Sequence, residues 1–346
     1  MRIDVESLKT WVAALLEASG LEPDWAARVA KVYARASSRA VGHHDITHLP
    51  GRLSLIASGW INAKGRPRLI SDSGALRAFD AEGCLGELAC SFLLDEACAL
   101  AEAHGIGMAC ARRSNHFLAA EPYVEEGASR GFLCVIYSNT DPCMAGPAGQ
   151  PNLIGNNPMG YGAARSGGAP LMLDICMAYA SLGNLKADAA AGRSLPPHWA
   201  IGASGEPTES PVEALKGGSV LPIGRHKGFG LALLGELITA GVAGGAWGPD
   251  SPPLSGGVGG HSQSVIAIKP PEIEGLPAFP NRAAALVGRL RQAVPGLRMP
   301  GERSRAAEDA AAREGIELGA SCYDALCEWS ARLGVNVPEL SQASGE

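Results

Sequence analysis

The chain has 346 residues, of which 46% are hydrophobic and 18% charged, with a formal net charge of −6. That length suits two or three domains, and the composition can bury a large core, which excludes a disordered chain. An acidic balance without a basic block excludes a phosphate-tracking surface for nucleic acid.

Forty-five glycines point to many turns and close backbone approaches, as in an α/β enzyme with ligand loops. The nine cysteines are an odd set without a CxxC pair, which argues against a disulfide framework or a zinc ribbon. Most lie in apolar stretches as small hydrophobes, and the reducing cytoplasm is the expected compartment. Residues 1–20 read as an amphipathic, acidic helix rather than a signal peptide. Every apolar run is broken by charge or glycine before about 18 residues, so no membrane span is expected.

In chain order, Leu8, Trp11, Val12 and Leu15 give residues 5–19 a helical period. Pro23 opens a second helix through Ala40, with a cap expected just before it. The turn-rich GHHDITHLPG (42–51) leads into helix over 52–59. Short extended pieces follow at Pro67–Ile70 and Leu76–Phe79. A long helix fits Leu85–His104, stopped by Gly105 as a glycine cap. The strand GMACARR then runs into SNHF (114–117), followed by a helix over Ala119–Arg130. FLCVIYS (132–138) reads as a buried strand before the loop Asn139–Asn157, and PLMLDIC (170–176) is the next strand. Residues 177–191 read as helix and 192–223 as loop. An apolar helix spans Gly228–Ala243, a flexible stretch 244–260, and a strand HSQSVIAIKP (261–270). Helices near 280–293, 303–314 and 322–333 end the chain. Alternating strands and helices imply an α/β protein, but not a run of βαβ units. HGIGMAC follows a helix and enters a strand, the reverse of a dinucleotide fingerprint.

Four constellations carry potential chemistry. His43, His44, Asp45 and His48 suit proton transfer near neutral pH, with a carboxylate to orient a ring. A His44/His48 metal pair on a helix lacks a third ligand, and a solvated polar turn is the plain alternative. His116 in SNHF sits where a strand ends, a usual ligand edge; capping the following helix is its alternative. Ser138-Asn139-Thr140 and Gly155-Asn156-Asn157-Pro158 are short polar groups able to bond a ribose, an amide or a carboxylate, though turn chemistry explains them equally well in isolation. Gly224-Arg225-His226-Lys227-Gly228 opens the apolar helix, where free N–H groups and two cations suit a dinucleotide phosphate or a substrate carboxylate.

HGIG, SNHF, GNNP, PLMLD, HKGFGLALLGEL, GHSQSVIAI and MPGER occur in an order and spacing that resemble the malate/L-lactate dehydrogenase family of non-Rossmann NAD(P)-dependent oxidoreductases. The resemblance covers nearly the whole chain. It implies an α/β malate/L-lactate (sulfolactate) dehydrogenase-like fold, a mixed sheet with a discontinuous helical domain. The implied division is 1–60 plus 281–346 for the helical domain, 61–120 for a small α/β segment and 121–280 for the NAD(P)-binding domain. It further implies a homodimer with sites near the subunit interface, and NADPH or NADH as cofactor. His44 and His116 are the implied catalytic pair, either one serving as proton donor. His48, Arg52 and Asn156 are expected at a small carboxylate substrate. Ser138, Thr140, Asp174, Cys176, Lys227, Gly228, Pro300, Gly301 and Glu302 are expected at the cofactor.

ASGW (57–60), Pro122, Cys143 and GGSVLPIGRHKG (217–228) look like the branch that reduces Δ1-piperideine-2-carboxylate and Δ1-pyrroline-2-carboxylate. The expected reaction is reduction of a cyclic ketimine carboxylate or a 2-keto acid, with a 2-hydroxyacid dehydrogenase and a catalytically silent ligand-binding relative as alternatives. Three departures stand out. The family pattern Ser-His-Gly, two residues, Arg is here His43, His44, Asp45 and, at the arginine's place, His48. Asn184 stands where family members carry Lys or Asp. The stretch 248–260 is short. The missing arginine fork would have to come from Arg52, Arg39 or Arg225.

Overall fold

The computed structural model describes residues 1–42, 44–252 and 260–340. His43 and the centre of the short 248–260 stretch lie outside the described residues. The main sheet holds β1 (Arg68–Asp72), β2 (Leu76–Asp80), β3 (Ile106–Ser114), β4 (Leu133–Ser138), β5 (Met159–Ala163), β6 (Leu171–Ile175) and β7 (His261–Ile268). Their spatial order is β1-β2-β3-β7-β4-β5-β6. Among the described residues β2 and β3 run parallel and the other neighbouring pairs antiparallel. A dinucleotide-binding doubly wound sheet is mostly parallel, so this mixed sheet is a different architecture.

The parallel pair is joined by the Gly86–His104 helix, which stops at Gly105 with φ 82°, the left-handed turn the sequence predicts there. Gly107 follows because the helix lies directly on the strand: a Cβ there would stand 2.2 Å from the Ala97 carbonyl oxygen. β7, drawn from late in the chain, is inserted between β3 and β4 and is buried at each residue from His261 to Val265.

The Val5–Ala18 helix is capped by the Asp4 carboxylate, which accepts from the Glu6 and Ser7 amides. The Pro23–Ser38 helix has no side-chain cap bond, contrary to expectation. Pro23 itself removes one of the orphan donors that a cap would serve. The two chain ends meet: Arg2–Ile3 pairs antiparallel with Ile316–Glu317, and Trp11 Nε1 donates to Ser330 Oγ at 2.8 Å. One core runs from Leu8, Trp11 and Tyr33 through Leu53 and Leu93 into Ala109 and Val265. A smaller one holds Met144, Met177, Leu185, Val220 and Ala232.

Two further differences from the sequence reading have physical causes. β5 has no counterpart in that reading, because MGYGA lacks an alternating apolar pattern. Its glycines let the Glu121–Ser129 helix lie against the sheet: a Cβ at Gly160 would stand 2.4 Å from Ala120 Cβ, and one at Gly162 2.2 Å from the Val124 carbonyl oxygen. The apolar helix is regular only over His226–Glu236 and then widens into a π-helical turn, Leu237–Gly241. Such turns often mark functional positions, and this one begins beside the buried Glu236.

Candidate active site

Four imidazoles gather at one end of β3 and β7. His44 and His48 come from the turn and the Ile46–His48 segment that lead into the Leu49–Ala57 helix, His116 from the turn after β3, and His261 from the first position of β7. Ring centroids lie 4.9 Å apart for His44–His116, 5.8 Å for His48–His116 and 5.9 Å for His44–His48. His261 is 6.2 Å from His116. Asp45, expected to orient a ring, instead accepts from the Thr47 amide at 3.0 Å and its hydroxyl at 2.7 Å. The carboxylate–imidazole contact occurs elsewhere: Asp141 Oδ1 meets His261 Nε2 at 2.9 Å.

The β3 end is distorted. Its pairing with β7 shifts register between His261 and Gln263, and Arg113 and Leu118 have φ of 56° and 68°. Bulges and left-handed non-glycine residues store strain that tends to sit at functional edges. The distortion turns the Leu118 amide onto His116 Nδ1 at 3.0 Å. Nδ1 is therefore an acceptor, and the neutral ring carries its proton on Nε2. Burial, followed by the charges of His44, Arg52, His48 and His261, holds His116 well below the usual imidazole range. The neutral ring is thus the resting state.

Behind His116 lies a charged pair closed off from water. Arg52 donates from Nη2 to the His116 carbonyl oxygen at 3.0 Å and from Nε to Glu87 Oε1 at 3.2 Å, and the Tyr33 hydroxyl donates to the same Glu87 oxygen at 3.0 Å. Arg52 is 4% exposed and Glu87 0%. The fork of Arg52 is committed inside the protein. That of Arg39 is too, buried among Glu125 and Glu308. Arg225 is exposed at the start of the His226–Glu236 helix. Helix capping after SNHF falls not to His116 but to Asp174, whose Oδ2 accepts from the Ala120 amide at 2.6 Å.

The polar loops form a second group. Thr140 donates to Asn156 Oδ1 at 3.0 Å, and its amide to Asn157 Oδ1 at 3.0 Å. Asn157 and Asn139 both donate to the buried carboxylate of Glu236, at 2.9 and 3.2 Å. Ser138 Oγ donates to the Asn139 carbonyl at 2.8 Å. The Met177 amide reaches the Asn156 carbonyl and the Ile223 amide the Met177 carbonyl, so Met177, just past β6, links Asn156 to the start of the GRHK loop. Gly228 is needed there by packing, since a Cβ would stand 2.5 Å from the Ile223 carbonyl oxygen and 2.6 Å from that of Met177. The expected free amides are partly used: Lys227 N donates to Gly224 and Gly228 N to Ile223. Lys227 itself is exposed, as is Asn184, whose amide is capped by Ser181.

Cys176 is half-buried, its thiol bonded to the Ala178 carbonyl at 3.4 Å and raised by burial. Burial likewise lifts Asp174 to about 6, against the opposing Ala120 amide. Pro300 accepts from the Met172 amide at 3.3 Å, and Gly301, with φ 90°, rests on the Met172 side chain. Glu302 accepts from the Met299 amide at 2.9 Å and pairs with Arg291, and these contacts lower its carboxyl. Pro300–Glu302 therefore docks on β6, and Asp174 on β6 reaches Ala120, four residues beyond His116.

Sequence reasoning passed over His261, Asp141, Gln263, Glu87 and Glu236 as individual site residues. The signals were available. His261, Ser262, Gln263 and Ser264 are four polar residues in a row, each at most 1% exposed, and Glu236 interrupts an apolar helix.

The profile of the malate/L-lactate dehydrogenase family matches residues 3–327. The Δ1-pyrroline-2-carboxylate/Δ1-piperideine-2-carboxylate reductase of Pseudomonas putida is 30% identical over 324 residues, 92% of this chain and 94% of that one. The crystal structure of Δ1-piperideine-2-carboxylate reductase from Pseudomonas syringae pv. tomato superposes with a TM-score of 0.87 at 29% identity, over 95% of this chain and 99% of that one. The sulfolactate dehydrogenase of Methanocaldococcus jannaschii gives a TM-score of 0.89 at 26% identity, over 97% and 98%. With a mixed seven-stranded sheet, an imidazole cluster at one end of its central strands and a family match along nearly its whole length, this chain belongs to the malate/L-lactate dehydrogenase family.

Proposed function

We propose that the protein is an NAD(P)H-dependent reductase of a small cyclic ketimine carboxylate, of the Δ1-piperideine-2-carboxylate or Δ1-pyrroline-2-carboxylate type, or of a 2-keto acid. The observation that carries this reading is the His44–His116 pair, in which one ring is held neutral as an Nε2–H donor and the other lies 4.9 Å away. The hydride would come from a nicotinamide held by the residues named below. His44 in its cationic form gives the proton to the imine nitrogen or carbonyl oxygen; His116 Nε2–H hydrogen-bonds that same oxygen in a keto acid, and the neighbouring carboxylate in a ketimine, whose nitrogen has only one lone pair. His48 and Asn156 contact the substrate. Arg52 acts from behind, fixing the His116 backbone through its carbonyl.

The residues present fit a dinucleotide. Arg225 and Lys227 offer exposed cations for the phosphates at the start of an 11-residue helix. Ser138, Thr140 and Asp174 offer short polar groups of the kind that hold ribose and carboxamide, with Cys176, Gly228 and Pro300–Glu302 shaping the walls. We also propose a homodimer. Leu231, Leu234 and Leu237 recur along one helical face and are 40–49% exposed, an apolar surface of the sort partners cover. Light scattering on the purified protein tests that point, and a mass of one chain would overturn it.

The function is tested by following oxidation of NADPH and NADH at 340 nm with Δ1-piperideine-2-carboxylate, pyruvate, oxaloacetate and sulfopyruvate. Turnover of the ketimine is expected. Turnover confined to the keto acids, reversible with 2-hydroxy acids, would make it a hydroxyacid dehydrogenase. Cofactor binding by calorimetry without turnover of any of them would make it a silent relative.

A further inference from the structure

Residues 261–263 are the seam between the two halves of the site. His261 pairs with Ser114 across the sheet, the residue that opens the SNHF turn. Gln263 donates to the Asn115 carbonyl at 2.7 Å. On the other side, the Ser262 amide donates to Asn139 Oδ1 at 2.6 Å and the Asn139 amide to the Ser262 carbonyl at 3.1 Å. His261 joins the two: its Nε2 meets Asp141, which follows Ser138–Thr140, and its ring lies 6.2 Å from that of His116. The side chain is 1% exposed, and its Nδ1 is buried without a hydrogen-bond partner. A buried polar atom left unpaired is destabilising, and an apolar ring would fill the same space without it. An imidazole kept there at that disadvantage calls for a role beyond filling space.

We propose that His261, held by Asp141, is a positioning residue of the reaction centre, which seats the His116 ring from the sheet and ties it to the loop that follows β4. Asp141 acts through His261 rather than on His116 directly. The His261 ring stands against His116 from the sheet side, while His44 and His48 face it from the adjoining turn and Arg52, paired with Glu87, lies behind. With Nδ1 engaged by the Leu118 amide, His116 stays a neutral donor, and the mobile proton of the cluster is left to His44. The role in catalysis rests on the reductase reading; the coupling between the two histidines does not.

The test is a pH titration of the histidine ε1 resonances by NMR in the unmodified protein, in His261→Asn, in Asp141→Asn and in the double variant, with folding checked by thermal melting. His261→Asn is expected to raise the His116 titration point. Asp141→Asn is expected to shift it in the same upward direction, because the His261 ring loses the contact that holds it against the buried His116, and the double variant to go no further than His261→Asn alone. A carboxylate acting directly on His116 would give the opposite sign in Asp141→Asn, and that result overturns the proposal. So does an unmoved His116 titration in a folded His261→Asn protein. If either single change perturbs folding, His261→Gln serves as the conservative replacement for the same titration. In the turnover assay kcat is expected to fall on the order of ten- to a hundredfold through misplacement of His116, with KM for the nicotinamide cofactor little changed. An unmodified protein that turns over nothing would end the reductase reading and leave the titration result standing.

Discussion

The Leu118 amide donates to Nδ1 of His116 at 3.0 Å, and this bond fixes the chemistry open to that ring. A proton on Nδ1 would set two N–H groups against each other. His116 is therefore suited to give a hydrogen bond from Nε2 and ill suited to cycle as an imidazolium.

From this follows the first prediction. His116→Gln should lower kcat by roughly 10²–10³-fold, the scale of one lost donor at a developing charge. The pH profile follows from the direction of the shift. The folded group titrates below the unfolded value of about 6.5, so the unfolded chain takes up the proton first as pH falls. Its contribution to stability is complete above about 6.5 and is lost as pH drops toward the folded value. NMR titration of the His116 ε1 resonance at or above 6.5 would overturn the assignment.

Asp174 runs the other way. Its carboxyl is raised from about 3.8 to about 6, so the folded state holds the proton longer, and stability falls as pH rises through that window. The two groups oppose each other over overlapping pH, which flattens the unmodified curve. Asp174→Asn keeps an acceptor for the Ala120 amide and removes the buried charge. Its melting temperature should gain relative to the unmodified protein as pH rises from 4 to 7, most of the gain arising between about 4 and 6. Asp174→Ala also loses the cap and should be less stable by about 1 kcal/mol. Parallel melting curves for the unmodified protein and Asp174→Asn at every pH would refute the raised carboxyl.

The pattern of legibility follows from what each signal reports. The Val5–Ala18 helix was readable from its 3.6-residue period because its burial is one-sided, and the end of Gly86–His104 from its terminal glycine. β5 was not, because Gly160 and Gly162 are selected by the helix above them rather than by any pattern along the strand. At the site, SNHF marked His116 directly. His261 and Glu87 depend on contacts across the fold, with Asp141 and Arg52, which no local spacing reveals. Arg52 illustrates the limit: its charge suggested a substrate fork, and only its distance to Glu87 shows where that fork is directed.

That ion pair gives the third prediction. Arg52→Met leaves Glu87 charged, enclosed and short of a partner, and should destabilise by about 3–5 kcal/mol in urea unfolding. Arg52→Met combined with Glu87→Leu removes both charges and should recover much of that loss, although the Tyr33 hydroxyl then lacks its acceptor. Activity should not return with stability, because the His116 carbonyl still lacks the Arg52 donor. If the double variant is no more stable than the single one, desolvation of Glu87 is not what the arginine offsets.

The last prediction concerns the GRHK loop. A helix start usually attracts phosphate through its free amides, but here Lys227 N and Gly228 N already donate to Gly224 and Ile223. Attraction of a dinucleotide must then lean on the side chains of Arg225 and Lys227, both exposed. A charge-assisted contact of this kind contributes about 1.5–3 kcal/mol, so Lys227→Ala should weaken cofactor binding by about ten- to a hundredfold. The loss should shrink at high salt, because both cations face solvent. Arg225→Ala should weaken binding in the same direction, and the ratio of its effect on NADPH to that on NADH tells whether this side chain reads the extra phosphate. Calorimetry at two ionic strengths measures all of this. Unchanged affinity in Lys227→Ala at low salt would move the phosphate site away from this helix.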